Sequence, residues 1–235
     1  NNTWTAKVSM PGPQTHAASG VINGILYLAG GTDYSVEINT FRAYNIAADT
    51  WTGQPTIPAM PTIRQTAAGG VINSKLYVAG GINTQNQANI PPIATLEVFD
   101  PTANGGVGGW STLPSMPTAR SVVGSGVVNG VFYVVGGSTN YSGAPSTVVP
   151  TVEAYNPDTN TWTTKAPMLT ARFYPAAAAV NGILYVIGGY DSNGSVLSTV
   201  ESYNPATNSW SPEPSMLTAR AYFEAATVGG TLYAV

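Results

Sequence analysis

The chain reads as short apolar runs separated by polar turns, with no stretch that sustains a 3.6-residue apolar period. The runs come in sets. A small, β-branched run such as SVVGSGVV at 121–128 is followed by Asn129-Gly130 and then by VFYVVGG at 131–137. The first run fits a strand buried on both faces. Both central residues of a two-residue hairpin turn need positive φ, which Asn-Gly supplies, so the second run is the returning strand. A third run, TVEAYNP at 151–157, ends in an Asn-Pro turn. A fourth carries Trp162. The pattern predicts four strands per unit and almost no helix.

The units repeat. LYLAGG ends at Gly31, LYVAGG at Gly81, FYVVGG at Gly137 and LYVIGG at Gly189, and LYAV begins a fifth copy that reaches Val235. The double glycines are spaced by 50, 56 and 52 residues. A period of that size is the signature of a repeat architecture. Sixteen residues before each double glycine stands Gln14, Arg64, Arg120 or Arg172, and Arg220 holds the same place in the fifth copy. An aromatic follows each double glycine (Tyr44, Phe99, Tyr155, Tyr203), and then a tryptophan (Trp51, Trp110, Trp162, Trp210). Trp4 occupies the tryptophan position of a preceding unit. Four strands, about 50 residues and no helix describe a β-propeller blade. Such a blade buries its faces only by stacking on its neighbours around an axis.

An arginine, a hairpin, a double glycine, a tyrosine and a tryptophan in this order resemble the kelch repeat, and the resemblance covers essentially the whole chain. It implies an all-β propeller, with repeats at about 14–63, 64–119, 120–171 and 172–219 and partial repeats at 1–13 and 220–235. A chain opening on a fourth strand and stopping in a second is expected to be part of a larger, six-bladed ring. The first repeat departs from the pattern. It has Gln14 for the arginine, and Arg42 where the others have Glu97, Glu153 and Glu201. That looks like a compensated loss of an Arg–Glu structural pair, or a divergent repeat. Buried charges must be paired, so the repeat arginines are read as structural. The tryptophans, at strict repeat positions, are read as inter-blade packing.

Composition narrows the partners. Only 8% of the residues are charged, against about 25% ordinarily. A net charge of −3 and a pI near 4.9 leave no basic stripe for nucleic acid. The most apolar region, 176–187, is broken by Asn181-Gly182, so it is a hairpin and not a membrane span. Zero cysteines exclude disulfides and thiolate chemistry. One histidine, His16, and scattered acids such as Asp33, Asp191 and Glu224 offer no usual metal set. No cofactor and no metal are expected. One histidine and no cysteine also exclude, in this part of the chain, the copper site of galactose oxidase, which shares the kelch propeller. The low-lysine, Thr- and Asn-rich surface favours an extracellular or cell-surface location over a cytoplasmic one.

Function in such a scaffold lies in loop residues that differ between repeats. Two sets differ here. One follows the double glycines and includes Asp33, Asn83, Ser138, Tyr190 and Asp191. The other follows the arginines and includes His16, Thr66, Val122, Tyr174 and Tyr222. Ligand contacts in kelch adaptors of ubiquitin ligases come from these two positions, so resemblance places them at the mouth of the central channel. The adaptors' basic pocket does not carry over, because no arginine stands at these loop positions. The candidate ligand set is His16, Tyr174, Tyr190 and Tyr222, with Asp33 and Asp191 at the rim and Thr66, Asn83 and Ser138 beside them. Rings and neutral polar groups suit a protein or glycan ligand, bound with little dependence on salt. The long loops 82–94 and 138–150 are further recognition elements. The reading is a non-catalytic recognition module. The alternatives are a sugar-processing enzyme of mutarotase or epimerase type and a structural subunit of a surface layer or filament.

Overall fold

The computed structural model describes residues 3–54, 56–83, 91–140 and 147–235. Four antiparallel four-stranded sheets follow one another along the chain. The first holds β1 (Ala18–Ile22), β2 (Ile25–Ala29), β3 (Phe41–Asn45) and β4 (Thr50–Thr52). The second holds β5 (Ala68–Ile72), β6 (Lys75–Ala79), β7 (Leu96–Asp100) and β8 (Gly109–Leu113). The third holds β9 (Gly124–Val128), β10 (Val131–Val135), β11 (Val152–Asn156) and β12 (Thr161–Lys165). The fourth holds β13 (Ala176–Val180), β14 (Ile183–Ile187), β15 (Val200–Asn204) and β16 (Ser209–Glu213). A two-stranded sheet, β17 (Ala225–Val228) with β18 (Thr231–Ala234), follows. Each first strand touches the first strand of the next sheet, β1 to β5 to β9 to β13 to β17, so these strands line an axis and the sheets are blades. The only helical segment among the described residues, Ala103–Gly106, contains left-handed Asn104 (φ 52°) and Gly105 (φ 71°), and is a tight loop rather than a helix.

The hairpin turns form as the sequence predicts. Asn23, Asn129 and Asn181 sit at φ 49–50° ahead of glycines at φ 76–80°, and Ser74 takes the glycine's place at φ 57°. Hydrophobic cores lie between blades rather than within them. Tyr27 and Phe41 of the first blade pack with Leu76 and Phe99 of the second, the Phe41 and Phe99 rings 4.5 Å apart. The next two interfaces are built alike, around Phe132 with Tyr155 and Leu184 with Tyr203. The axis-lining strands are not buried on both faces as the sequence suggested. β5 and β9 are buried at their ends and half-buried between, because their middles border an axial channel. Their small residues answer the neighbouring blade. A Cβ at Gly20, Gly70 or Gly126 would come within 2.5–2.7 Å of Val71, Phe132 or Leu184.

The double glycine is where one blade receives the next. Gly136 has φ +62°, and a Cβ there would lie 2.5 Å from the Arg172 carbonyl oxygen. Its neighbour Gly137 donates its N–H to that same oxygen at 2.8 Å. The contact recurs as Gly31 to Arg64, Gly81 to Arg120 and Gly189 to Arg220.

The repeat arginines are structural. Arg64, Arg120 and Arg172 are fully buried. Arg120 donates to the carbonyls of Gly136 (2.6 Å) and Thr151 (3.0 Å) and to the carboxylate of Glu153 (2.8 Å). Arg64 repeats this with Glu97 at 2.8 Å, and Arg172 with Glu201. The second carboxylate oxygen is held by the Pro-Met segment. Thr62 donates to Glu97 (2.6 Å), Thr118 to Glu153 (2.8 Å), and the Leu169 N–H to Glu201 (2.9 Å). The tryptophans also have their predicted role. Trp162 Nε1 donates to the Pro114 carbonyl and Trp210 Nε1 to that of Ala166, both at 2.8 Å, tying each outer strand to the preceding repeat.

Candidate functional site

The two loop sets meet as small ladders. Thr15 bridges Thr32, Gln65 bridges Ile82, Ser121 bridges Ser138 and Phe173 bridges Tyr190. The residue after each bridged position turns left-handed. His16, Thr66, Val122, Tyr174 and Tyr222 all have φ between 51° and 56°. β-branched residues such as Thr66 and Val122 are genuine outliers there, and each such residue costs on the order of 1–3 kcal/mol. A chain of hydrogen bonds around the axis holds them. The Thr66 N–H donates to the His16 carbonyl (2.9 Å), Val122 to Thr66 (3.1 Å) and Tyr174 to Val122 (2.8 Å). The strained turn brings these residues to the channel mouth, where all five line one cavity of about 330 Å³.

The cavity is asymmetric. One side is aromatic. The Tyr174 and Tyr222 ring centroids are 4.0 Å apart, and His16 lies 6.3 Å from each. Tyr190 does not line the cavity. It stacks on Phe173 at 5.3 Å and meets Tyr222 edge-on at 5.7 Å, supporting the aromatic side from behind. The other side is small and nearly buried. Val122 is 7% exposed, and the Thr66 hydroxyl is turned to the Gln65 carbonyl at 2.7 Å. Below the mouth the channel continues as a second cavity of about 240 Å³ past Ser19, Gly69 and Ser125.

The remaining candidates stand elsewhere. Asp33 Oδ1 accepts the N–H groups of Val36 and Ser35, both at 3.0 Å, and these bonds hold its carboxyl below the usual range. Asp191 Oδ1 accepts those of Asn193 (2.8 Å) and Ser195 (2.9 Å). Both aspartates shape their own loops. Ser138 is 1% exposed, and its hydroxyl donates to the Asn140 carbonyl at 2.5 Å. Asn83 is half-buried and off the cavity. Of the two long loops, 84–90 and 141–146 lie outside the described residues.

Sequence reasoning treated Glu224 only as a scattered acid. It lines both cavities. Comparing repeats would have found it, since Ala18, Ala68, Gly124 and Ala176 hold its position in the other four. Among the described residues, no three His, Cys, Asp or Glu side chains come together in a way that would hold a metal ion. No helix among the described residues is long and apolar enough to cross a membrane.

Comparison with known proteins agrees with this geometry. The Kelch motif model matches residues 15–58, 64–117, 119–169 and 171–217. The Kelch-like protein terF of Aspergillus terreus is 29% identical over 193 residues, covering 80% of this chain and 41% of that protein. Kelch-like ECH-associated protein 1A of Danio rerio is 39% identical over 95 residues, covering 40% of this chain and 15% of that protein. Kelch-like protein 13 of Mus musculus is 33% identical over 87 residues, covering 37% of this chain and 13% of that protein. The chain thus spans less than half the length of these relatives. With its arginine-to-glutamate pairs, double-glycine blade contacts and four matched repeats, the chain belongs to the kelch-repeat family.

Proposed function

We propose that this propeller is a non-catalytic recognition module that holds a partner protein at the mouth of its axial channel. The observation that carries the reading is the convergence of five left-handed residues, His16, Thr66, Val122, Tyr174 and Tyr222, on one cavity. Holding strained residues in place is the usual mark of a functional site. The aromatic side supplies flat contact area, and a small pocket that sets polar groups beside those rings suits an inserted side chain. The kelch-like relatives support a scaffold of this kind, and the Danio rerio protein is named for association with ECH.

A second reading rests on Tyr174 and Tyr222. Paired rings 4.0 Å apart also offer a surface on which a sugar stacks. Selection of peptides from a displayed random library, run beside a glycan array, separates the two. The first reading expects retained peptides whose affinity falls about tenfold in Tyr174→Ala and in Tyr222→Ala, equivalent to about 1.4 kcal/mol each. Melting temperature should hold, since Tyr222 is 58% exposed. Retained glycans with the same tyrosine dependence would favour the second reading. Peptides indifferent to both substitutions would place the site elsewhere.

A further inference from the structure

Among the described residues, Glu224 is the only carboxylate lining either axial cavity, and no lysine or arginine lines them. No salt bridge reaches it among the described residues. The aromatic side of the mouth, His16, Tyr174 and Tyr222, borders the same cavity. Its place in the repeat needs no acid, because alanine or glycine serves in the other four. Glu224 is exposed to water on one side, while desolvation by the channel walls on the other pushes its carboxyl up, and no nearby cation opposes that rise.

Aromatic faces attract cations through the ring quadrupole. A carboxylate next to those faces adds a charge-assisted hydrogen-bond acceptor. Neutral and anionic groups gain nothing from the carboxylate, whereas a guanidinium or ammonium group uses both features. We propose that the mouth selects a cationic side chain, arginine or lysine, of its partner protein, with Tyr174 and Tyr222 against its flank and the Glu224 carboxylate facing its charged end. This rests on the mouth being the partner site, and it replaces the salt-indifferent binding expected from sequence. The acidic balance of the chain, net −3, favours the approach of a basic segment.

The probe is a peptide taken from the library selection on the wild-type protein. The proposal expects the selected peptides to share an arginine or lysine. Exchange of that arginine for citrulline, or of that lysine for its acetylated form, should weaken binding at least tenfold. Glu224→Gln should weaken the cationic peptide by a similar factor and leave the neutral analogue unchanged. Glu224→Ala, which installs the residue of three other repeats, provides a second variant, with thermal unfolding to confirm the fold of each. Selected peptides that depend on Tyr174 and Tyr222 but share no basic residue would overturn this inference and leave the mouth as the site. So would an affinity untouched by both Glu224 variants. Peptides indifferent to the tyrosines as well would remove the site reading itself.

Discussion

Gln14 and Arg42 form the structural pair of the first blade, with the cation moved to the third strand and a neutral amide in the arginine's place. Gln14 Nε2 donates to the carbonyls of Gly30 (2.7 Å) and Thr40 (3.2 Å), the two carbonyls that an arginine reaches in the other blades. Gln14 Oε1 then accepts from Arg42 Nη1 at 2.8 Å. In the other blades the residue after the Pro-Met segment donates and its partner accepts. Here the amide supplies both roles, so the cation moves to the third strand. Arg42 is also held by the Gly12 carbonyl at 3.1 Å.

The exchange predicts strong coupling. Gln14→Arg alone sets two guanidinium groups together and should destabilise the protein. Gln14→Arg with Arg42→Glu recreates the pair of the other blades and should recover most of the loss. Coupling of about 1–3 kcal/mol is expected for residues in one network. A double-mutant cycle by denaturant unfolding reads it, and strictly additive effects would contradict the pairing.

Arg120→Ala leaves Glu153 buried without its cation and removes the donor from the Gly136 and Thr151 carbonyls. A loss on the order of 2–4 kcal/mol is expected. Partner binding should fall only in proportion to the unfolded fraction. An unchanged melting temperature with abolished binding would reverse the roles assigned to scaffold and site.

Two glycine substitutions should separate backbone strain from collision. Gly130 has φ +76° and open space around it, so Gly130→Ala meets only the left-handed penalty, about 1–2 kcal/mol. Gly136→Ala meets that penalty and also the Arg172 carbonyl at 2.5 Å. It should be clearly the more damaging of the two by calorimetry. Equal effects would mean that the blades do not meet at the double glycine.

Tyr44 donates to Asp49 Oδ1 at 2.5 Å. That bond, with burial and the Asp49 charge adding to it, pushes the phenol up to about 12, and the same bond holds the Asp49 carboxyl down. With the folded value raised above the unfolded one, the phenol's contribution to stability is complete below the ordinary tyrosine range. It is lost as pH climbs toward 12. Asp49→Ala should return Tyr44 toward its ordinary value in an ultraviolet or NMR titration. A Tyr44 titration indifferent to that substitution would show that the bond is not its cause.

The architecture was legible in the chain because each of its causes is local. Asn-Gly pairs make hairpins wherever they occur, and runs of five alternating or apolar residues make strands. A 50-residue recurrence of arginine, double glycine and tryptophan names positions that must be equivalent. The pairing of Arg64 with Glu97 was readable because a buried charge demands a partner and one recurs per repeat. The five residues converging on the mouth could be aligned from sequence, and resemblance to the family set them at the channel mouth, but their contacts there could not be read. Tertiary structure alone decided that Thr66 and Val122 take up left-handed turns, because what holds them there is a hydrogen bond from a different blade. It also decided which candidates face the mouth. Asp33, Asp191 and Ser138 have the right repeat position, yet their side chains are bound within their own loops. Repeat comparison marks Glu224 as the odd residue of its position, but only five strands set around one axis show it lining the channel, since a carboxylate's surroundings belong to the neighbours that the fold brings to it.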